Sequence, residues 1–187
     1  MFERLAHSGQ SPRAMIVACS DSRVDPTMIF NAEPGELFIL RNVANLVPPY
    51  QPDLAFHATS AALEFAVRVL AVSDLIVMGH AMCGGINVLL RGAPPGAGDF
   101  LMPWMRIAEP AKRRVLARDG PDPQTDCEQE SVRLSLENLL TFPWIADRVA
   151  QGLLTLTGSI FDIRSGVLAL LDADGRFAPV ETQPPAT

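Results

Sequence analysis

Residues 75–90 read LIVMGHAMCGGINVLL. Leu75 to Met78 is a short, unbroken apolar run of the kind that forms a buried strand. Gly79-His80 closes it, and Gly84-Gly85 introduces a helical stretch through Leu90. The same pattern extends upstream. Ala14 to Cys19 (AMIVAC) and Glu36 to Leu40 (ELFIL, after the turn signal Glu33-Pro34-Gly35) predict two more buried strands. Between them and residue 75, the apolar positions Ala62, Leu63, Phe65, Ala66, Val69 and Leu70 follow helical spacing and predict an amphipathic helix over 59–70. Strand, strand, helix, strand, helix is the order of an α/β domain with a mostly parallel sheet flanked by helices. Downstream, residues 91–99 form a Gly/Pro loop. Helices are predicted over 100–117 and 127–140, with a break at 119–126. Residues 153–163 and 167–172 read as a C-terminal strand hairpin turning at Arg164-Ser165-Gly166. The expected organisation is one domain over 1–180 and a flexible tail over 181–187.

Composition narrows the function. The chain has 187 residues, 48 % of them hydrophobic and 19 % charged, which suits one well-filled core. Fifteen basic residues against 21 acidic ones give a net charge of −6, so no nucleic-acid partner is expected. Without a long apolar stretch no membrane partner is expected either, and the polar start points to a cytoplasmic protein. The cysteines are more informative. There are three, Cys19, Cys83 and Cys127, an odd number that argues against a disulfide scaffold.

Two of the cysteines sit where chemistry is expected. Cys19 ends the first strand, His80 ends the third, and Cys83 follows three residues later at a helix start. Open parallel sheets place their sites at the carboxyl ends of strands, so these residues could meet. Two thiolates and an imidazole favour zinc, and three protein ligands leave a fourth position open. Cys127 could in principle close that position, but it stands far off in a helical stretch among acidic residues and reads as a thiol without a role. Beside Cys19 the segment Cys19-Ser20-Asp21-Ser22-Arg23 places Asp21 near any such metal, with a guanidinium to keep its carboxylate ionised and oriented. Asp21 could accept a hydrogen bond there, or swing in as a fourth ligand. His7 and His57 read as surface histidines.

The run Cys19-Ser-Asp-Ser-Arg23, followed by Arg41-Asn-Val-Ala-Asn45 and Gly79-His-Ala-Met-Cys-Gly-Gly85, resembles the β-class carbonic anhydrases. The likeness is close from Phe2 to Leu90 and continues more weakly through Glu137-Asn138, Gly152-Leu153 and Phe161-Asp162. The resemblance implies that family's fold, one zinc ion per chain on Cys19, His80 and Cys83, and a catalytic pair Asp21–Arg23. The implied reaction is reversible hydration of carbon dioxide to bicarbonate and a proton by attack of zinc-bound hydroxide. The implied substrate pocket is lined by Gln10, Phe38, Val43, Phe65 and Gly84, with Gln10 as hydrogen-bond donor to an otherwise apolar substrate. That pocket lies at a dimer interface in the family, so a homodimer or higher even oligomer is implied, with some of these residues serving the partner's site. Phe65 stands where plant-like members often carry Tyr. Two competing readings are a hydrolase of the same fold acting on carbonyl sulfide or carbon disulfide, and a catalytically silent zinc-binding module.

Overall fold

A computed structural model of the chain describes residues 2–180; the predicted tail over 181–187 lies outside the described residues. The chain runs α1 (Phe2–Ser8), β1 (Ala14–Cys19), α2 (Pro26–Ile29), β2 (Leu37–Asn42), α3 (Ala58–Glu64), β3 (Asp74–His80), α4 (Gly84–Arg91), α5 (Leu101–Met105), α6 (Glu109–Leu116), α7 (Pro123–Leu139), α8 (Pro143–Ala150), β4 (Thr155–Asp162), β5 (Val167–Leu171) and β6 (Phe177–Pro179). The six strands form one sheet in the order β2-β1-β3-β4-β5-β6. The first four are parallel to one another, and β5 and β6 add on antiparallel. The predicted C-terminal hairpin is therefore a three-stranded meander.

The central strands are apolar on both faces because both are covered, as parallel sheets require. Met15 and Val17 of β1 and Leu75 and Val77 of β3 enter one core with Leu63, Val132, Leu139, Phe142 and Ile145 of the helical side. Ile16, Ala18 and Met78 point the other way, against Ile29 and Phe30. A further cluster packs α4 to α7 around Cys19, Cys83, Ile86, Met105 and Cys127. The chain leaves β1 for β2 on one side and later places β3 on the other. The crevice at the carboxyl ends of β1 and β3 is thus a switch point, where open α/β sheets build their sites.

Local chemistry explains the departures from the expected element boundaries. The helix expected over 100–117 is three pieces, with a 3-10 turn at Arg106–Ala108. Pro110 has no amide hydrogen to give the Arg106 carbonyl, and its ring crowds that carbonyl, so a new helix starts at Glu109. The helix expected from Cys127 begins earlier, at Pro123, because Asp122 caps it by accepting from the Thr125 amide. Asp25 caps the short α2 in the same way, ahead of Pro26.

Two glycines, Gly79 and Gly158, set how closely α7 approaches the sheet. A Cβ on Gly79 would lie 2.7 Å from Val132 Cγ2 and 2.8 Å from Ile160 Cδ1. Gly79→Ala should therefore force the core apart and cost about 1–3 kcal/mol, lowering the melting temperature by several degrees in a thermal scan. An unchanged melting temperature would show that α7 moves freely against β3.

Candidate metal centre

Register brings the expected ligands together. Ala18 pairs with Met78, so Cys19 is level with Gly79, and His80 lies one residue beyond on the adjacent strand. Past His80 the chain turns at Met82, whose φ of 58° is left-handed, and this returns Cys83 to the same spot as the N-cap of α4. One ligand atom from each of Cys19, His80 and Cys83 lies within 4.8 Å of the other two, and all three residues are buried. Gly85 lets α4 start here: a Cβ on it would sit 2.9 Å from both Ala44 Cβ and Val43 Cγ1.

The residues fit a metal ion on their own chemistry. His80 Nδ1 faces the Ala81 carbonyl at 2.9 Å, which makes it the protonated nitrogen. Nε2 then carries the lone pair, and it is buried without a hydrogen-bond partner. An orphaned imidazole nitrogen facing two thiols suits zinc in preference to a hard cation. The two thiols also influence each other through a hydrogen bond. Cys19 is pulled below the ordinary thiol range, first by the hydrogen bond from Cys83 and against desolvation. Cys83 is pushed above the ordinary thiol range by that same partner and by burial, while the Ile86 and Gly85 amides at the start of α4 pull the other way.

Asp21 lies beside this group, its Oδ2 4.0 Å from His80 Nε2. Arg23 grips it through both oxygens. Nη2 donates to Oδ2 at 2.7 Å, and Nε and the Arg23 amide donate to Oδ1 at 2.9 and 3.0 Å. Arg23 in turn gives Nη2 to the Met82 carbonyl at 3.2 Å, tying the pair to the turn between His80 and Cys83. The Arg23 hydrogen bonds hold the Asp21 carboxyl well below the usual carboxylate range. Oδ1 takes two donors and Oδ2 one, so the free acceptor position on Oδ2 lies on the side of His80.

Of the other expected residues, Gly84 adjoins Cys83 and Val43 lies against Gly85, whereas Phe38 is level with Met15, four residues back along the strands from Cys19. Val43 is 39 % exposed and lines a groove of about 800 Å³ with Asn42, Phe56, His57, Phe100 and Trp104. Gly84 is exposed, with open space where a Cβ would be. Phe38 and Phe65 stack on each other at 5.8 Å between ring centroids, on the side of the sheet core; Phe65 stays 41 % exposed. Gln10 is exposed in the segment between α1 and β1. His57 pairs with Asp53 at 2.6 Å, and Cys127 is fully buried in α7, its thiol pushed up to about 11 by burial.

Three supporting residues carried no expected role. Arg41, at the end of β2, donates to the carbonyls of Cys19 (2.9 Å), Asp21 (2.6 Å) and Val24 (3.0 Å), which fixes the segment bearing both Cys19 and Asp21. Its signal in the sequence is a charged residue closing an apolar strand. Gln124 and Glu128 reach from α7 to the backbone of Cys83, and nothing local in the sequence announces them.

A family model described as carbonic anhydrase matches residues 14–168. The chain is 39 % identical to beta carbonic anhydrase 3 of Arabidopsis thaliana, over 96 % of this chain and 71 % of that protein. Among solved structures, the β-carbonic anhydrase CcaA superposes with a TM-score of 0.89 at 35 % identity, covering 96 % of this chain and 88 % of that one. The tetrameric β-carbonic anhydrases of Sordaria macrospora give a TM-score of 0.80 at 29 % identity, covering 92 % and 86 %.

Proposed function

The chain belongs to the β-carbonic anhydrase family and is a carbonate dehydratase, and from that premise we propose how its residues divide the work of hydrating carbon dioxide reversibly to bicarbonate and a proton. The observation that carries the reading is the convergence of Cys19, His80 and Cys83 on one buried point beside an Arg-held carboxylate. These three residues would hold one zinc ion per chain. Zinc bound there supplies hydroxide near neutral pH by acidifying water.

The rest of the chemistry belongs to the chain. Asp21, kept ionised by Arg23, can only accept a hydrogen bond. A hydroxyl that donates to Oδ2 must present a lone pair elsewhere, and that lone pair is the one free to attack carbon. Arg23 keeps Oδ1 occupied and leaves Oδ2 available. Carbon dioxide has no net dipole and gives up little hydration, so an apolar lining of Val43, Phe38 and Phe65 beside the bare Gly84 suits it, with Gln10 as donor.

We place that lining at an interface within a homodimer or higher even oligomer, Gln10, Phe38 and Phe65 serving the partner's site. In support, Phe65 stays exposed in the single chain, and Phe56 and Phe100 leave an apolar rim on the groove next to Val43. The tetrameric Sordaria macrospora relatives are consistent with even-order assembly. The proposed compartment is the cytoplasm, where a reducing milieu keeps free thiols such as these three available to a metal.

The test is stopped-flow carbon dioxide hydration across about pH 6.5–9 with zinc measured on the same sample. We expect one zinc per chain and a rate that rises with pH as water loses its proton. Asp21 contributes nothing to that rise, because its carboxyl is already ionised throughout the range. Stripping zinc with a chelator should abolish the rate, and restoring it should bring the rate back. A zinc-loaded chain that hydrates no faster than buffer would sink the reading. Parallel assays with carbonyl sulfide and carbon disulfide separate the alternative substrates.

A further inference from the structure

Glu128 is 4 % exposed, and among the described residues it has no ion-pair partner. The contrast two residues along α7 is informative. Glu130 is 3 % exposed and holds three guanidinium groups, Arg114 and Arg118 at 3.2 Å and Arg133 at 3.5 Å. A buried carboxyl with no ion-pair contact is costly, so its position needs a reason.

That reason lies in its hydrogen bonds. Oε1 of Glu128 accepts from the backbone amide of Cys83 at 2.8 Å and from Nε2 of Gln124 at 2.6 Å. The same Nε2 reaches the Cys83 carbonyl at 3.1 Å. Two α7 side chains, one helical turn apart, therefore hold both polar backbone atoms of a single residue. That residue follows the left-handed Met82 and caps α4, a stretch of backbone that would relax without external ties. Through Val132 against Gly79, the same helix presses on the strand bearing His80.

We propose that Glu128, assisted by Gln124, is a positioning residue of the metal centre, fixing the Cys83 backbone so that its thiolate stays aimed at the ion. It touches neither ion nor substrate. Its effect is on retention of the metal, in the way that groups bonded to metal ligands usually act. The inference rests on the zinc reading of the site.

The experiment is the rate at which the zinc-loaded enzyme releases zinc to an excess of a chelating dye. Glu128→Ala should release zinc about 10–100-fold faster than the natural chain. Glu128→Gln keeps an acceptor oxygen for the Cys83 amide and should recover most of that loss. A residue serving the helix alone would lower the melting temperature of the zinc-free chain without changing the release rate. Natural release from Glu128→Ala overturns the proposal, and so does release from Glu128→Gln as fast as from Glu128→Ala. If Glu128→Ala does not fold, Gln124→Ala decides by itself: faster release supports the clamp and unchanged release overturns it. A natural chain that takes up no zinc refutes the metal reading instead, which separates the two failures.

Discussion

Cys19→Ser and His80→Ala should each lose zinc and carbon dioxide hydration together. Zinc held by four ligands in small proteins is worth roughly 10–16 kcal/mol, or about 2.5–4 kcal/mol per ligand, so losing one ligand weakens binding about 10²–10³-fold. Serine makes the deficit plain. Its hydroxyl stays protonated near neutrality, whereas the Cys19 thiol is pulled below the ordinary thiol range and gives up its proton more readily. His80→Ala removes a buried lone pair that has no hydrogen-bond partner among the described residues. Hydration should fall by at least about a thousand-fold, since the nucleophile disappears with the ion. The fold should survive in Cys19→Ser, a near-isosteric change at the end of β1. Metal analysis, hydration rate and circular dichroism on one preparation check all three expectations. A variant of either kind that retains zinc and hydrates at the natural rate would falsify the ligand assignment.

The ligands were legible because the physics that places them is local. An apolar run of strand length must end where polar residues begin, and in a parallel sheet that end is where sites form, so Cys19 and His80 could be paired across 60 residues of sequence. Cys83 was legible from its three-residue spacing and the helix that follows. The left-handed turn at Met82 that makes the spacing work was not, since methionine gives no hint of positive φ. The burial of the glutamates on α7 was not legible for a related reason. These glutamates look like a solvated face, and only their distant partners, the Cys83 amide for Glu128 and Arg114 and Arg118 for Glu130, show that they are buried. Helix α8 was missed altogether: it is eight residues long and follows α7 after a short turn, so its apolar residues lack the length that declares a helix.

Asp21→Ala and Arg23→Ala should keep zinc and lose most turnover, and the comparison between them tests how the pair works. Neither side chain is a ligand in the proposed site, and Arg23 is half exposed, so neither substitution should unfold the chain or empty the centre. Asp21→Ala removes the acceptor proposed to face the nucleophile, a loss of the order of 10²–10⁴ for a group that holds a proton in the transition state. Arg23→Ala leaves the carboxylate in place and removes what aims it. Three hydrogen-bond distances between 2.7 and 3.0 Å join the two residues, and two of them come from the guanidinium, so only the amide would still hold Asp21. The carboxylate is then free to rotate, and its own ionisation moves back toward ordinary carboxylate values as its strongest stabilising contact disappears. Because its held value lies below the usual range, this change affects acid conditions and leaves Asp21 ionised at neutral pH. The Arg23→Ala defect should therefore appear at every pH from about 6.5 to 9 as a lower plateau, with no displaced midpoint. Arg23→Lys should recover only part of the rate, because an ammonium cannot bridge both oxygens with the fixed spacing of a guanidinium. Full recovery by Lys would mean that charge alone suffices. A zinc-replete Asp21→Ala enzyme working at the natural rate would remove the pair from the mechanism.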